Sequence, residues 1–131
     1  MIGLDTNVLV RCLVQDDPVQ SQRATAWIED ASARDEKLHL CSMVLCELVW
    51  VLESCYGVSR GDIADTLERI LMTSQFEIEH RDSAWAALAE FRTAKADFSD
   101  CLVGRIHRRA GCGVTATFDR ATRSLPTFTL L

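Results

Sequence analysis

The sequence predicts an α/β protein, a sandwich of helices around a mostly parallel sheet. Two kinds of observation lead there. Short apolar runs that end in an acid stand near both ends of the chain, Met1 to Asp5 and Val114 to Asp119, as expected of buried strands that deliver a carboxylate to the edge of a sheet. Between them, capped amphipathic helical patterns alternate, singly or in pairs, with further short strand patterns.

The elements follow in order. Behind Asp5, residues 7 to 14 are apolar nearly all round and predict a short buried helix. Asp17-Pro18 is an N-cap followed by proline at the first helical position, and Ala24, Trp27, Ile28 and Ala31 form the inward stripe of a second helix. Residues 34 to 37 are polar and form a loop, Leu38 to Cys41 a second strand. Ser42 stands where a cap is needed for a helix that runs to about Tyr56 and stops at Gly57. Ser59 and Asp62 have capping-box spacing for a helix whose inner face is Ile63, Leu67, Ile70 and Leu71. Phe76 to Ile78 is a weak strand, and residues 82 to 94 form a helix around Trp85, Leu88 and Phe91. Asp97 opens a helix ending near Gly111, and Val114 to Phe118 and Phe128 to Leu131 are the last strands. The apolar character of the 114 to 118 run predicts a central strand.

A chain of 131 residues, 48% hydrophobic and 25% charged, suits one domain, here 1–131, with a real core. The first apolar run is too short for a signal peptide and no later run reaches the length of a membrane span, which predicts a soluble, cytoplasmic protein. Six cysteines are scattered without a CxxC pair, mostly inside apolar patterns, and are expected to be reduced, buried thiols rather than zinc ligands or disulfides.

The formal net charge of −5 runs against a nucleic-acid binder, since phosphate contacts want Lys and Arg. Acids gathered round divalent cations would reverse the local sign. Arg105, His107, Arg108 and Arg109, with Arg120 and Arg123 nearby in sequence, then offer a phosphate-facing rim. A solvated helix face explains the same run equally well.

Acidic residues carry the chemistry. Asp5 and Asp119 stand at strand ends. Glu47 stands among Val44, Leu48, Val51 and Cys55 at helical spacing, where a buried carboxylate would need a cation, an Arg or a proton. Lying just off that stripe, it would reach solvent instead. Asp97 and Asp100 share a helix face, with capping as an alternative role for both. Gly104, one turn beyond Asp100, leaves room above the carboxylate or lets the helix pack closely. Thr117 points the same way as Asp119 and is placed to bond an acid or a water. Strand C-termini and the following helix N-termini share one edge of a βαβ layer, so Asp5, Glu47, Asp100 and Asp119 are expected to converge. Hard oxygen ligands select Mg²⁺ or Mn²⁺, which activate water toward a phosphodiester.

Ile2-Gly3-Leu4-Asp5-Thr6-Asn7-Val8-Leu9, the helical Glu47 in Ser42 to Leu48, Ala96-Asp97-Phe98-Ser99-Asp100-Cys101-Leu102-Val103 and Thr117-Phe118-Asp119 together resemble a PIN-domain ribonuclease of the VapC toxin type. The resemblance implies a compact three-layer α/β/α fold, Mg²⁺- or Mn²⁺-dependent endonuclease activity on RNA, a homodimer, and neutralisation by a small antitoxin protein. It implies Asp5, Glu47, Asp100 and Asp119 as the acidic quartet and Asp97 as an additional or water-mediated ligand. Thr6 and Asn7 flank the first acid and Thr117 supports the last. Arg105, Arg108 and Arg120 are the candidates for RNA contact.

Two rival readings fit the residues less well. A phosphatase of haloacid dehalogenase type wants a second acid two residues after the first, where this chain has Asn7, and a late lysine, where Lys95 is the last. A catalytically silent PIN-like binding module would normally have lost an acid of the quartet, and this chain keeps all four.

Overall fold

The computed structural model describes residues Met1–Leu131, which divide into two compact units: Met1–Ser59 with Met72–Glu79, and Arg60–Leu71 with His80–Leu131. Every strand pair is parallel. The α/β class therefore holds within each unit.

In the first unit β1 (Ile2–Gly3), β2 (Leu38–Leu40) and β3 (Phe76–Ile78) form a sheet in that order, with Ile2 opposite Leu38 and Leu38 opposite Phe76. Leu38 and Leu40 are fully buried, and Leu4, just past β1, donates its N–H to the His39 carbonyl at 3.0 Å. Helices α1 (Thr6–Val14), α2 (Pro18–Ala33) and α3 (Ser42–Tyr56) complete the unit, with α1 packed on both of the others.

The predicted helix ends are largely met. Asp17 Oδ1 accepts from Gln20 N at 3.0 Å, with Pro18 in the first helical turn. Gly57, at φ +60°, closes α3, and both its N–H and that of Val58 reach the Leu52 carbonyl. A side chain at this left-handed position would cost about 1 kcal/mol. The other end of α3 differs from expectation. Cys41 occupies the N-cap, Ser42 is already helical, and its N–H is taken by Glu79 Oε1 at 3.0 Å. A carboxylate from the end of β3 does what the serine was expected to do.

Two expectations about packing are corrected in this unit, and one about the cysteines along the whole chain. Helix α1 buries Thr6, Leu9 and Val10 but leaves Leu13 41% exposed, so it is covered on one face only. In α2 the buried residues are Ser21 and Ala31, and Trp27 is 42% exposed. Helix α2 packs on α1, and small side chains rather than the large ring fill its buried positions. Of the cysteines only Cys101 is buried, while Cys55 and Cys112 are exposed, and all six are free.

The second unit holds α4 (Arg60–Met72, as far as Leu71), α5 (Arg81–Thr93), α6 (Phe98–Arg109), β4 (Thr115–Thr117), a short 3-10 turn (Arg120–Thr122) and β5 (Phe128–Leu130). The inner face of α4 is Ile63, Ala64, Leu67, Ile70 and Leu71, as its periodicity predicts. Helices α5 and α6 pack on each other. Phe91 and Phe98, both 2% exposed or less, meet edge to face at 6.0 Å. Arg60 lies over the Phe91 ring at 3.8 Å and donates to the carbonyls of Phe91, Ala94 and Ala96 at 2.9, 2.9 and 2.6 Å. One guanidinium thus satisfies the frayed end of α5 and fixes the loop that leads to Asp97.

β4 and β5 pair only with each other, Thr115 opposite Phe128 and Thr117 opposite Leu130. Val114 is 57% and Phe118 81% exposed, so the run expected to be a central strand has only its middle in a two-stranded ladder. The apolar residues at its ends drew the wrong inference, because composition alone does not say which of them meet a partner.

Candidate functional site

In the first unit Asp5 is the N-cap residue of α1, with extended backbone (φ −82°, ψ 157°), yet its carboxylate makes no capping hydrogen bond. The comparison with Asp17 is internal to the molecule: the same residue at the same position of α2 does bond the helix. Asp5 is exposed, leaving its carboxylate available beside a helix N-terminus. Thr6 beside it is 3% exposed with an Oγ1 that has no partner, and Asn7 is exposed. Glu47 is exposed, while α3 buries Val44, Leu45, Leu48, Val49 and Leu52. The stripe is centred on the 45/48/52 side, and at 100° per residue Glu47 falls well outside it. The reading of Glu47 as a carboxylate trapped in an apolar face is therefore corrected: it reaches solvent.

In the second unit three acids are drawn together. Asp97 is the N-cap residue of α6 and, like Asp5, makes no side-chain cap bond. Asp100 lies in the first turn, half-buried. Its carboxyl is held above the ordinary carboxylate range, first by desolvation, then by the charges of Asp119 and Asp97, and by a hydrogen bond with Asp119. None of the three forms an ion pair. Asp119 follows β4 at the start of the 3-10 turn. Its Oδ1 accepts from Ala121 N at 2.8 Å, and its own N–H donates to Thr117 Oγ1 at 3.0 Å. Thr117 thus fixes the backbone of Asp119 rather than an acid or a water, which corrects its expected role while keeping it a support for that residue.

Gly104 is accounted for by packing. A Cβ there would meet Thr127 Oγ1 at 2.4 Å and Phe128 Cε2 at 2.6 Å, so the glycine lets α6 lie against the segment entering β5. Room above Asp100 is not its purpose.

The expected basic rim is altered. Arg105 Nε donates to Glu90 Oε1 at 2.7 Å, and Glu90 is only 11% exposed. Arg105 is consumed in that pair. Arg108 lines a hollow of ≈ 430 Å³ with Asp82, Ser83 and Arg109, and Arg109 faces Asp82 at 3.6 Å. Arg120 lies in a different hollow, with Lys95 and Arg123. Sequence reasoning missed Arg60 and Lys95, since neither stands within a recognisable motif.

The donor chemistry suits a hard divalent cation: a carboxyl at Asp100 held above its ordinary range by desolvation and by the charges of Asp119 and Asp97, with the Asp97 side chain uncommitted to its helix. No group of three or more His, Cys, Asp or Glu side chains stands ready as a cage. A small cation that keeps several waters and binds through one or two carboxylates and a substrate phosphate does not need one, so the residues fit an open, water-rich site.

Asp5 follows β1 at the start of α1 and Asp119 follows β4 at the start of the 3-10 turn, an α/β arrangement of parallel strands with acids at strand ends. The PIN domain family model matches residues 2–126, and the chain belongs to that family, whose three-layer α/β/α class goes with the membership. Over 122 residues, 93% of this chain and 90% of the relative, it is 29% identical to the VapC ribonuclease of Aquifex aeolicus (strain VF5). No solved structure matches the chain.

Proposed function

We infer that the protein is an endoribonuclease that hydrolyses RNA phosphodiesters, the toxin of a toxin–antitoxin pair. The observation that carries this reading is the meeting of Asp97, Asp100 and Asp119, none of them in an ion pair, in a PIN-family chain similar to a VapC ribonuclease. Asp5 and Glu47 join these acids by motif, and the two compact units are read as halves of one domain because a single family match runs through both.

Asp5, Glu47, Asp100 and Asp119 would hold Mg²⁺ or Mn²⁺, with Asp97 as an additional or water-mediated ligand. Such a cation, when bound, supplies water activation and charge neutralisation at the phosphodiester. The chain's own contribution is placement. Thr117 and Ala121 fix Asp119 from both sides, the helix N-termini at Asp5 and Asp97 turn N–H groups toward anions, and Arg60 holds the Asp97 loop. The partners of this reading are RNA, a cognate antitoxin protein and a second copy of the chain in a homodimer, and its compartment is the cytoplasm. No helix is long and apolar enough to cross a membrane.

The test is RNA cleavage by the purified, antitoxin-free protein with Mg²⁺ or Mn²⁺, and its loss in EDTA. Asp5→Asn, Asp100→Asn and Asp119→Asn are each expected to lower kcat by a factor of about 100 or more. Cleavage that persists in all three would sink the assigned site, and growth arrest that survives Asp100→Asn would favour a silent binding protein.

A further inference from the structure

A hollow of ≈ 440 Å³ in the second unit is walled by Thr93, Lys95, Arg120, Arg123 and Ser124, with no acid in its lining. Elsewhere Arg11, Arg34, Arg92, Arg105 and Arg109 each face a carboxylate. Lys95, Arg120 and Arg123 are exposed and take part in no ion pair. In a chain with 19 acids against 14 bases, three cations without an ion-pair partner gather round one concavity and favour an anion there.

The backbone that carries them is fixed. Arg60 clamps the carbonyls on either side of Lys95, at Ala94 and Ala96. The turn bearing Arg120 is tied by Asp119 Oδ1 to Ala121 N and by Arg123 N to the Arg120 carbonyl. Each segment also abuts an acid of the cluster, since Lys95 precedes Asp97 by two residues and Arg120 follows Asp119 directly. Two guanidinium forks and a mobile ammonium suit phosphate oxygens, bidentate from Arg and as a point charge from Lys.

We propose that this hollow grips the RNA backbone at a phosphate flanking the one that is cut, through Lys95, Arg120 and Arg123. The choice of RNA as the polyanion rests on the ribonuclease reading above. Contacts of this kind place the strand without reading its sequence. They act in the ground state and the transition state alike, so their loss raises KM while kcat is largely kept. Arg105, held by Glu90, has no part in it.

The experiment measures fluorescence anisotropy of a short labelled single-stranded RNA of mixed sequence in an Asp100→Asn background, over a range of salt. Lys95→Gln, Arg120→Gln and Arg123→Gln are combined and compared with a charge-matched control, Arg23→Gln with Arg34→Gln and Arg69→Gln. The trio is expected to weaken binding at least about tenfold and to flatten the log–log salt slope by roughly 2, from about 0.7 per lost phosphate contact on a single strand. In the active background KM rises by a similar factor. Binding and salt slope equal to the control overturn the subsite, while cleavage by the unmutated protein would leave the ribonuclease reading standing. Binding through the trio without any cleavage by the unmutated protein keeps the subsite and removes that reading.

Discussion

Gly104→Ala probes the contact on which α6 depends. Within a helix, alanine is favoured over glycine by about 1 kcal/mol, so on local grounds the substitution stabilises. Its Cβ would stand 2.4 Å from Thr127 Oγ1 and 2.6 Å from Phe128 Cε2, where ordinary contact begins near 3.4 Å. Thr127 is 2% exposed, its hydroxyl has no partner, and its carbonyl accepts from Thr115 N at 2.8 Å, so it cannot retreat without disturbing the β4–β5 ladder. Overpacking of this kind costs about 1–3 kcal/mol, which leaves a net loss of about 0–2. Gly61→Ala is the matched control, since Gly61 lies in α4 with nothing within 4 Å of its Cβ position, and there the helical gain of up to about 1 kcal/mol stands alone. The gap between the two variants is the clash, about 1–3 kcal/mol, or roughly 4–12 °C in thermal midpoint at ~4 °C per kcal/mol for a chain of this size. Circular dichroism melts of the two proteins read it directly. If the position-104 variant melts at or above the position-61 variant, the close packing of α6 against Thr127 and Phe128 is refuted.

Two further predictions rest on charge. Asp100 keeps its proton to higher pH in the folded chain than in the unfolded one. Its contribution is therefore most favourable below the ordinary carboxylate range and is lost as pH rises through the elevated value. In EDTA, Asp100→Asn is expected to be the more stable protein at neutral pH, by no more than about 1 kcal/mol given solvent screening, with the advantage vanishing in acid. Urea titrations across pH check this, and an Asn variant less stable at neutral pH would show that the three acids are not in repulsion. Arg105→Ala leaves the nearly buried Glu90 carboxylate without its cation and is expected to cost about 1–3 kcal/mol while leaving RNA affinity near that of the unmutated protein. A large fall in affinity without loss of stability would return Arg105 to the RNA interface.

Legibility followed the range of the forces involved. The cap at Asp17, the stop at Gly57 and the stripe of α4 are local, set by neighbours within a turn, and the structure repeats them. Trp27 sits at the flank of α2, where a shift of some tens of degrees decides between core and water, and Glu47 lies well outside an α3 stripe centred on 45/48/52 rather than on the 44/48/51/55 row; periodicity does not resolve either choice. Ser42 stood beside a cap position whose bond is made by Glu79, 37 residues on. Cysteine in an apolar run was expected to be buried, but burial depends on whether another element covers the run, and for Cys55 and Cys112 none does.

By itself the sequence determined the α/β class, the sequence order of nearly all the elements and the identity of the acids, because apolar spacing, capping residues and turn glycines act along the chain. Only the tertiary structure decided which acids feel one another, that Asp5 and Asp97 hold N-cap positions without spending their carboxylates, that Gly104 serves packing, and that Arg105 is taken while Lys95, Arg120 and Arg123 stand free. Those facts depend on distances between segments far apart in sequence, and electrostatic repulsion, steric contact and ion pairing have no strength until folding sets those distances.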